Sequence, residues 1–538
     1  MRKLLLFNLA LGFLLVLSAC GPKEYAIKTD NWDGNMINDN YRVYYEVFVW
    51  AFSDSNGDGV GDLQGLIHRL DYLNDGDFNS GLSLGVTGLW LMPIMPSPSY
   101  HKYDTTDYKA IDPQYGTIED FKLLIQEAQA RNIDIIIDLI VNHTSQYHPW
   151  FRQARQAAQN ENWDSPYLEY YTLVTEEEKV PGRTYYPFHG DLYYEGNFWS
   201  GMPELNVGSP LVRGEFEEII AFWLDLGVKG FRLDAVKYLY FGELEPNILF
   251  WEWFMDTVRE IREDAYVVGE MWASDSEILP YYSVFNNFDF GMSQNNGAVA
   301  STVYGIDTVN SFVQYITNYK ARVKDVNENA ILQPFISNHD MNRAAGYLPL
   351  DGQMQMAANL YMLTYGTPFI YYGEEIGMRG SRGNENTDAN RRLAMVWGDR
   401  DRVKDPPGAF WTPDQQVNGS VQDQINDPHS LLTHYKRLIH ARHAHPEIAR
   451  GNYTALVFEG HQDFGGFIST WNGSSVLVLH HTGRRPLTIN LSQYQLQAFT
   501  RISSKLGPFA EYIEFELVLN GTELTIPPMT SVILRIPD

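Results

Sequence analysis

The chain has 538 residues, which is too long for one ordinary hydrophobic core and predicts two or three domains. Its composition is globular, with 44% hydrophobic and 20% charged residues. The 67 acidic and 40 basic residues give a formal charge of −27, which argues against a nucleic-acid partner because phosphates would be repelled.

The N-terminus has the layout of a secretory signal. Arg2 and Lys3 precede an apolar stretch at 4–17, which is short for a transmembrane span. Cys20 is the one cysteine of the chain, so it has no partner for an internal disulfide. Residues 17–21, LSACG, resemble a bacterial lipobox, in which the cysteine is lipidated after cleavage. We therefore expect a signal peptide at 1–20, a polar tether at 21–40 and an exported, membrane-anchored lipoprotein at the cell surface, outer membrane or periplasm.

Apolar runs of strand type alternate with helical stretches along most of the chain. This alternation predicts a (β/α)8 barrel, since parallel strands need a helical crossover. The predicted strands are 42–50, 86–94, 133–141, 228–233, 266–269, 285–290, 333–337 and 368–372. Two of the intervening helical stretches are 118–131 and 215–226.

Two segments break the barrel pattern. Residues 143–206 are rich in Tyr, Trp, Pro and Gly and predict a subdomain inserted after the third strand. Alternating, β-like segments after 446 predict a C-terminal antiparallel β-sandwich at 446–538. The catalytic barrel would then comprise 41–142 and 207–445.

Four short blocks carry the chemistry, and they place polar groups at the ends of predicted strands. The blocks are DLIVNHTS (138–145), GFRLDAVKY (230–238), VVGEMW (267–272) and FISNHD (335–340). An α/β barrel keeps its active site at the C-terminal ends of its strands. Arg232 and Asp234 are two residues apart on one strand, so both side chains face the same side and the guanidinium can keep the carboxylate ionised and oriented. Glu270 has apolar neighbours that predict a raised pKa, as a general acid needs.

A loop with oxygen-bearing side chains at every second position follows the first predicted strand. It reads DSNGDGVGD, residues 54–62, and this pattern with tight-turning glycines suits Ca²⁺. An EF-hand is not expected, because position twelve is Gly65 and the preceding segment is strand-like. The expected ligands are Asp54, Asn56, Asp58, Asp62 and the carbonyl of Val60, in a structural role.

The order and residues of the four blocks resemble the α-amylase family of retaining glycoside hydrolases, from about residue 41 to the C-terminus. The resemblance implies that Asp234 is the nucleophile, Glu270 the acid/base and Asp340 a third carboxylate that grips sugar hydroxyls. It also implies that His143 and His339 hydrogen-bond the sugar at the cleavage subsite.

The family's motif after the second strand matches residues 101–104, HKYD. The resemblance implies that Tyr103 stacks on the sugar ring and that Asp104 helps to hold the same sugar. Lys102 departs from the glycine that the family often has there. A second Ca²⁺ site, with Asn142 and an acidic partner such as Asp191, is common in the family and is left open.

Residues around the nucleophile bear on substrate choice. Ala235 and Lys237 match the Ala–x–Lys pattern that accompanies α-1,4 cleavage in the family, with Lys237 on the leaving-group side. Residues 202–206, MPELN, resemble the MPDLN of enzymes between oligo-1,6-glucosidases and neopullulanases, with Glu204 as a departure. We expect a monomeric enzyme that cleaves α-1,4 bonds within starch-type glucans. An exo-acting α-glucosidase or oligo-1,6-glucosidase, a transglycosylase and an inactive sugar-binding lipoprotein are the alternatives.

Overall fold

The computed structural model describes residues 25–27, 36–507 and 518–537; Cys20 lies outside the described residues. In chain order, the strands up to residue 371 are β1 (Tyr44–Val47), β2 (Gly88–Leu91), β3 (Asp134–Leu139), β4 (Leu173–Val174), β5 (Tyr185–His189), β6 (Leu192–Glu195), β7 (Gly230–Leu233), β8 (Tyr266–Gly269), β9 (Asn286–Asp289), β10 (Gln333–Pro334) and β11 (Phe369–Tyr371). The later strands are β12 (Asn452–Leu456), β13 (Phe464–Trp471), β14 (Ser474–His481), β15 (Leu487–Asn490), β16 (Arg501–Leu506), β17 (Val518–Asn520), β18 (Glu523–Ile526) and β19 (Thr530–Arg535).

The α-helices lie mainly between the barrel strands. They are α1 (Leu63–His68), α2 (Leu70–Leu73), α3 (Ile118–Ala130), α4 (Pro149–Gln159), α5 (Pro210–Asp225), α6 (Leu244–Ile261), α7 (Asp275–Ile278), α8 (Ala298–Tyr304), α9 (Val309–Val326), α10 (Ala344–Tyr347), α11 (Gln353–Met362), α12 (Pro413–Gln416), α13 (Val421–Gln424), α14 (Leu431–Ala444) and α15 (Pro446–Arg450). No helix in the described ranges is long and apolar enough to cross a bilayer.

Eight of the described strands form one parallel sheet in the order β10-β9-β8-β7-β3-β2-β1-β11. The amide of Thr367, just before β11, donates to the carbonyl of Leu332, just before β10, at 2.8 Å and brings the two end strands together. Each predicted barrel strand contains one of these eight strands, so the predicted (β/α)8 barrel is confirmed. Its strands are buried on both faces, as their predominantly apolar runs predict.

The barrel helices are specified by caps and an apolar stripe. In α3, the Thr117 side chain accepts from the amide of Asp120, and the Asp120 carboxylate accepts from the amide of Thr117. This capping box satisfies two amides that the first helical turn leaves unpaired. Phe121 and Leu124 on the same helix are fully buried against the barrel.

The segment after β3 contains a small antiparallel sheet in the order β4-β6-β5. Its end is attached to the end of β3 by an antiparallel bridge between His143 and Glu204 and by a hydrogen bond from the amide of Leu205 to the carbonyl of Asn142. The insertion therefore stands beside the C-terminal end of the barrel.

The C-terminal region has a five-stranded antiparallel sheet, β12-β13-β14-β19-β16, and a three-stranded one, β15-β18-β17. Residues from both sheets share a hydrophobic core, in which Leu477 and Leu534 of the larger sheet meet Leu524 and Ile526 of the smaller. The predicted C-terminal β-sandwich is confirmed by this arrangement.

Candidate active site

Arg232 is the centre of the polar cluster at the C-terminal end of the barrel. Its side chain is fully buried, and Nη1 donates to Asp138 Oδ1 at 2.8 Å and to Asp234 Oδ1 at 2.7 Å. Nη2 lies 3.7 Å from Glu270 Oε2. One guanidinium therefore reaches three carboxylates, and the predicted pairing of Arg232 with Asp234 is present.

Glu270 follows β8, and its carboxylate is held beside Asp234 by the backbone. Glu270 Oε2 accepts from the amide of Ala235 at 2.9 Å. Ala235 has a φ of 46°, an unusual angle for a residue with a Cβ, and it directs this amide toward the carboxylate. Burial raises the pKa of Glu270 to about 7; Arg232 opposes that shift, and Asp234 and Asp340 reinforce it. The direction agrees with the predicted behaviour of a general acid.

Asp340 and His339 form the second part of the cluster. His339 Nε2 lies 3.0 Å from Asp340 Oδ2, and His339 Nδ1 lies 2.6 Å from Glu46 Oε1 on β1. Arg392 donates from Nη2 to Asp340 Oδ1 at 2.7 Å. Although burial alone would raise the pKa of Asp340, His339 and Arg392 hold it well below its usual range. About a third of the Asp340 side chain stays exposed, so it faces the cleft as an anion.

Tyr103 and His143 complete the ring of side chains. Tyr103 OH donates to Asp138 Oδ2 at 2.9 Å and lies 2.7 Å from His339 Nε2. Its ring is stacked on His339, with centroids 5.5 Å apart. His143 Nε2 lies 3.1 Å from the carbonyl oxygen of Tyr103, and burial lowers the pKa of His143. A neutral imidazole here can still donate a hydrogen bond.

Lys102 lies at the position in this loop where the family often has glycine. Its φ is 66°, the left-handed conformation that glycine adopts without strain. The Lys102 ammonium forms a buried ion pair with Asp112 at 2.7 Å and donates to Gln114 at 2.9 Å. Asp104 is buried next to it and accepts from the Ser97 hydroxyl at 2.7 Å. These contacts fix the turn that presents Tyr103.

Lys237 lies on the Glu270 side of the cluster. Its ammonium donates to the carbonyl of Trp272 at 2.8 Å, and the Trp272 ring is exposed and stacked on Phe290. A groove of about 430 Å³ continues away from this point. It is lined by Lys237, Tyr238, Phe241, Gly242, Leu244, Asn247, Met271, Ser276, Glu277, Pro280 and Tyr281.

The Asp/Asn/Gly loop lies apart from this cluster, after β1. Asp54 Oδ1 accepts from the amides of Asn56 and Gly57, at 3.1 and 2.6 Å, and Asp54 Oδ2 accepts from the amide of Gly59 at 2.8 Å. Asn56 and Asp58 accept from amides two residues ahead, and Asp62 caps α1. Within the described ranges, no group of three or more His, Cys, Asp or Glu side chains is arranged to hold a metal ion.

The two residues named for a second Ca²⁺ site lie in different surroundings. Asn142 is buried and donates from Nδ2 to the carbonyl of Asp234 at 2.7 Å, while its Oδ1 is buried and has no hydrogen-bond partner among the described residues. Asp191 is exposed at the turn between β5 and β6. The second site stays a prediction.

Three residues of the cluster were not singled out from the sequence. Asp138 interrupts the apolar run of β3, and Glu46 interrupts that of β1, so a charge inside a buried strand was the available signal. Arg392 gave no such signal, because it lies in an irregular segment after β11.

Comparisons with known proteins agree with this geometry. Residues 46–451 match the family model described as alpha amylase, catalytic domain. The chain is 36% identical over 459 residues to alpha-amylase 3 of Dictyoglomus thermophilum, covering 84% of this chain and 86% of that protein.

Two solved structures are also similar. Amy13B of Eubacterium rectale superimposes with a TM-score of 0.86 and 35% identity, covering 96% of this chain and 100% of that one. The alpha-amylase from H. orenii gives a TM-score of 0.79 and 34% identity, covering 93% and 100%. With the barrel, the paired carboxylates and the family match in agreement, the chain belongs to the α-amylase family of glycoside hydrolases.

Proposed function

We propose that this enzyme hydrolyses α-1,4-glucosidic bonds within starch and maltodextrins, by double displacement with retention of configuration. The observation that carries the proposal is the arrangement around Arg232, which bonds Asp234 and approaches Glu270 from the same buried position. Retaining glycosidases need one ionised carboxylate and one protonated carboxyl on either side of the scissile bond. Because its pKa is raised, Glu270 can be the protonated carboxyl near neutral pH.

In the first displacement, a carboxylate oxygen of Asp234 attacks the anomeric carbon, and the bond from that carbon to the glycosidic oxygen breaks. Glu270 gives its proton to the departing oxygen, which leaves as the free 4-hydroxyl of the second sugar chain. In the second displacement, the Glu270 carboxylate takes a proton from water, and the water oxygen displaces Asp234. Glu270 is protonated again and Asp234 is ionised again.

The remaining side chains act on the sugar that is cleaved. Asp340, held as an anion by His339 and Arg392, accepts hydrogen bonds from its hydroxyls. Tyr103 offers a ring face for stacking, and His143 holds the Tyr103 backbone by donating from Nε2 to its carbonyl. Interactions that strengthen as the ring flattens toward an oxocarbenium ion lower the barrier.

The groove beside Lys237 supports binding of a glucan chain on the leaving-group side. Met271 follows the acid Glu270 directly, so the groove lies on the side where the leaving group departs. The Phe198 ring lies next to His143. The ring centroids of Phe198 and Tyr238 are 5.5 Å apart, and those of Tyr238 and Phe241 are 5.3 Å apart, so the three rings run from His143 to the groove. Aromatic faces of this kind pack against the apolar faces of glucose units, so the leaving side can hold more than one sugar.

A timed product profile tests this function. We expect mixed maltodextrins to appear early from soluble amylose, with no product from the Asp234→Asn variant. Glucose alone, or release from isomaltose, would instead indicate an exo-acting glucosidase. Longer products from maltotriose would indicate a transglycosylase, and no product from amylose, pullulan or isomaltose would leave a binding protein.

The proposal includes a structural Ca²⁺ ion in the loop after β1. The proposed ligands are all oxygen atoms, which suits a hard cation. They belong to the side chains of Asp54, Asn56, Asp58 and Asp62 and to the carbonyl of Val60. The side chains of Asp54, Asn56 and Asp58 are already turned onto the loop's own amides, which keeps the loop in one conformation. A bound Ca²⁺ would supply charge neutralisation there and take no part in the displacement steps.

We also propose that the enzyme is an exported monomer, anchored by acyl chains on Cys20. Support for export and for the anchor comes from the sequence alone, since the signal-like segment and LSACG precede the described residues. Labelled fatty acid should be incorporated by the wild type and not by Cys20→Ala. Label in that variant would contradict the lipid anchor, and a sedimentation mass near 120 kDa in place of about 60 would contradict the monomer.

A further inference from the structure

Two adjacent glutamates, Glu374 and Glu375, are buried shortly after β11 and take no part in the proposed displacement steps. They begin a one-turn 3₁₀ helix, Glu374–Ile376, between Gly373 and Gly377, whose φ angles of 79° and 75° are left-handed. Burial raises the pKa of Glu374 to about 7 and raises the pKa of Glu375 as well. A buried carboxylate is costly unless its oxygens accept hydrogen bonds, so its donors show which parts of the chain this pair holds.

Hydroxyl groups from three segments of the chain donate to Glu374. Tyr361 on α11 and Tyr435 on α14 donate to Oε1, each at 2.8 Å. The Ser337 hydroxyl donates to Oε2 at 3.1 Å. The two tyrosines lie on helices of the barrel, whereas Ser337 lies in the segment that leads from β10 to the active site. Glu374 therefore fastens this segment to two helices.

Ser337 lies at the start of the turn that presents Asp340. The amide of Asp340 donates to Asn338 Oδ1 at 3.0 Å, and the amide of Met341 donates to the carbonyl of Asn338 at 3.2 Å. These bonds close the turn on itself, and the bond from Ser337 to Glu374 fixes where the turn begins. A shift of Ser337 would therefore move the Asp340 carboxylate with it.

Glu375 holds the first barrel strand in the same way. Its Oε1 accepts from the hydroxyl of Tyr45 at 2.8 Å and from that of Tyr72 at 2.7 Å. The Tyr45 hydroxyl also accepts from the amide of Gly373 at 3.2 Å. Tyr45 directly precedes Glu46 on β1, and neighbouring residues of a strand point to opposite faces. Tyr45 thus fixes the strand from behind, while Glu46 faces the catalytic cluster.

The Glu46 carboxylate continues this connection into the cluster. It lies 2.6 Å from His339 Nδ1, and His339 Nε2 lies 3.0 Å from Asp340 Oδ2. Both buried glutamates are therefore connected to Asp340, one through the main chain of its own turn and the other through β1 and the imidazole.

We propose that Glu374 and Glu375 are positioning residues, which hold Asp340 where it grips the sugar hydroxyls in the transition state. The inference rests on the role of Asp340 in the proposed function. A carboxylate that is already fixed loses little side-chain entropy when it binds the flattened ring, so more of the interaction lowers the barrier. The buried glutamates lie behind the cluster and act only through the groups that they hold.

Ser337→Ala tests the proposal with the smallest change, because it removes one hydroxyl and leaves both tyrosine bonds of Glu374 in place. We expect kcat/KM on a nitrophenyl α-maltoside to fall about 10-fold, the equivalent of a lost hydrogen bond to a charged group, while KM changes by less than about twofold. Ser469→Ala is the matched control, since Ser469 on β13 is also buried and donates to the carbonyl of Glu447. It should leave kcat/KM within about twofold of the wild type.

A double-mutant cycle with Asp340→Ala separates positioning from a purely structural role. If Ser337 acts through Asp340, Ser337→Ala should lower kcat/KM by less than about twofold once the carboxylate is absent. A general loss of structure would instead lower kcat/KM about 10-fold in both backgrounds, and that result would overturn the proposal. Activity of Ser337→Ala equal to that of Ser469→Ala would overturn it too.

Tyr45→Phe answers the same question if Ser337→Ala does not fold. It removes the hydroxyl that connects Glu375 to β1, and its loss of kcat/KM should also disappear in the Asp340→Ala background. An equal loss in both backgrounds would overturn the proposal. Wild-type activity of Asp340→Ala itself would overturn the proposed role of that residue together with the inference, whereas wild-type activity of Ser337→Ala and Tyr45→Phe would overturn the inference alone.

Discussion

Glu46 Oε1 and His339 Nδ1 are 2.6 Å apart, although one lies on the first barrel strand and the other follows the seventh. The same imidazole contacts Asp340 through Nε2 at 3.0 Å. Burial alone would lower the pKa of His339, but Asp340 and Glu46 outweigh it and raise the pKa to about 9. His339 is therefore an imidazolium at neutral pH and can donate from both nitrogens.

The Glu46 contact predicts a pH dependence of stability. A folded-state pKa of about 9, above the ordinary value near 6.5, means that the stabilisation is complete below pH 6.5 and is lost as pH rises toward 9. Glu46→Gln should flatten this decline, because it removes one of the two carboxylates that raise the pKa. Urea unfolding at intervals from pH 6 to 9.5 measures the effect. Equal declines of the unfolding free energy with pH in the wild type and Glu46→Gln would contradict this prediction. Glu243→Gln, which changes an exposed side chain, serves as the control.

The raised pKa of Glu270 predicts the alkaline limb of activity. The group must be protonated in the first step, so kcat/KM should fall above about pH 7 as Glu270 ionises. Asp340→Asn should move this limb to lower pH in the remaining activity, because the Asp340 charge helps to raise the pKa of Glu270. A pH–rate profile for both proteins decides this. A limb that stays in place would show that another group controls it.

The role of Glu270 as acid predicts a dependence on the leaving group. Glu270→Gln should lower kcat on maltooligosaccharides by about 10²- to 10⁴-fold, the usual contribution of general acid–base catalysis. Formation of the covalent intermediate from a nitrophenyl α-maltoside should be affected far less, since nitrophenolate leaves without protonation. The release of nitrophenolate, followed in the pre-steady state, measures the rate of the first displacement. Equal losses on both substrates would argue against an acid role.

Arg392 predicts a loss of transition-state binding when it is shortened. Its bond to Asp340 Oδ1 and its second bond, from Nε to the His339 carbonyl at 3.2 Å, orient the third carboxylate. Arg392→Gln should lower kcat/KM by about 10- to 100-fold, the equivalent of a lost charge-assisted bond. Arg382→Gln is the matched control, since Arg382 is exposed and pairs with Asp388. Equal activity of the two variants would exclude this role.

The metal loop predicts a response to chelation. EDTA should lower the Tm of the wild type, and added Ca²⁺ should restore it, because a ligand that binds only the folded state stabilises it. Asp58→Ala should have the lower Tm already and respond to neither reagent. Asp77→Ala removes a comparable exposed bond outside the loop, in which Asp77 Oδ1 accepts from the amide of Asn79, and should keep the response. A wild type indifferent to EDTA would contradict the Ca²⁺ proposal.

The barrel and most of the catalytic cluster could be predicted because their signals are local. Most barrel strands lie in predominantly apolar runs, and Arg232, Asp234 and Glu270 lie at or directly after the end of such a run. The β-sandwich was visible in alternating residues for the same reason. Periodicity and residue type carry this information without any knowledge of long-range contacts.

The contacts that hold the cluster in place could not be predicted. Arg392 reaches Asp340 from an irregular segment, and Glu46 reaches His339 from the opposite end of the barrel sequence. Such pairings depend on how the barrel closes, which no window of sequence records. The left-handed angle at Lys102 is similar, because the buried partner that accompanies it, Asp112, is ten residues away.

The most direct test of the central claim is the anomeric configuration of the first product. Proton NMR during hydrolysis of maltopentaose by the wild type should show the α-anomer first, followed by mutarotation, since two displacements at one carbon retain configuration. Asp234→Asn should give no product on the same timescale. Initial formation of the β-anomer, or substantial turnover by Asp234→Asn, would contradict the assignment of Asp234 as nucleophile and Glu270 as acid.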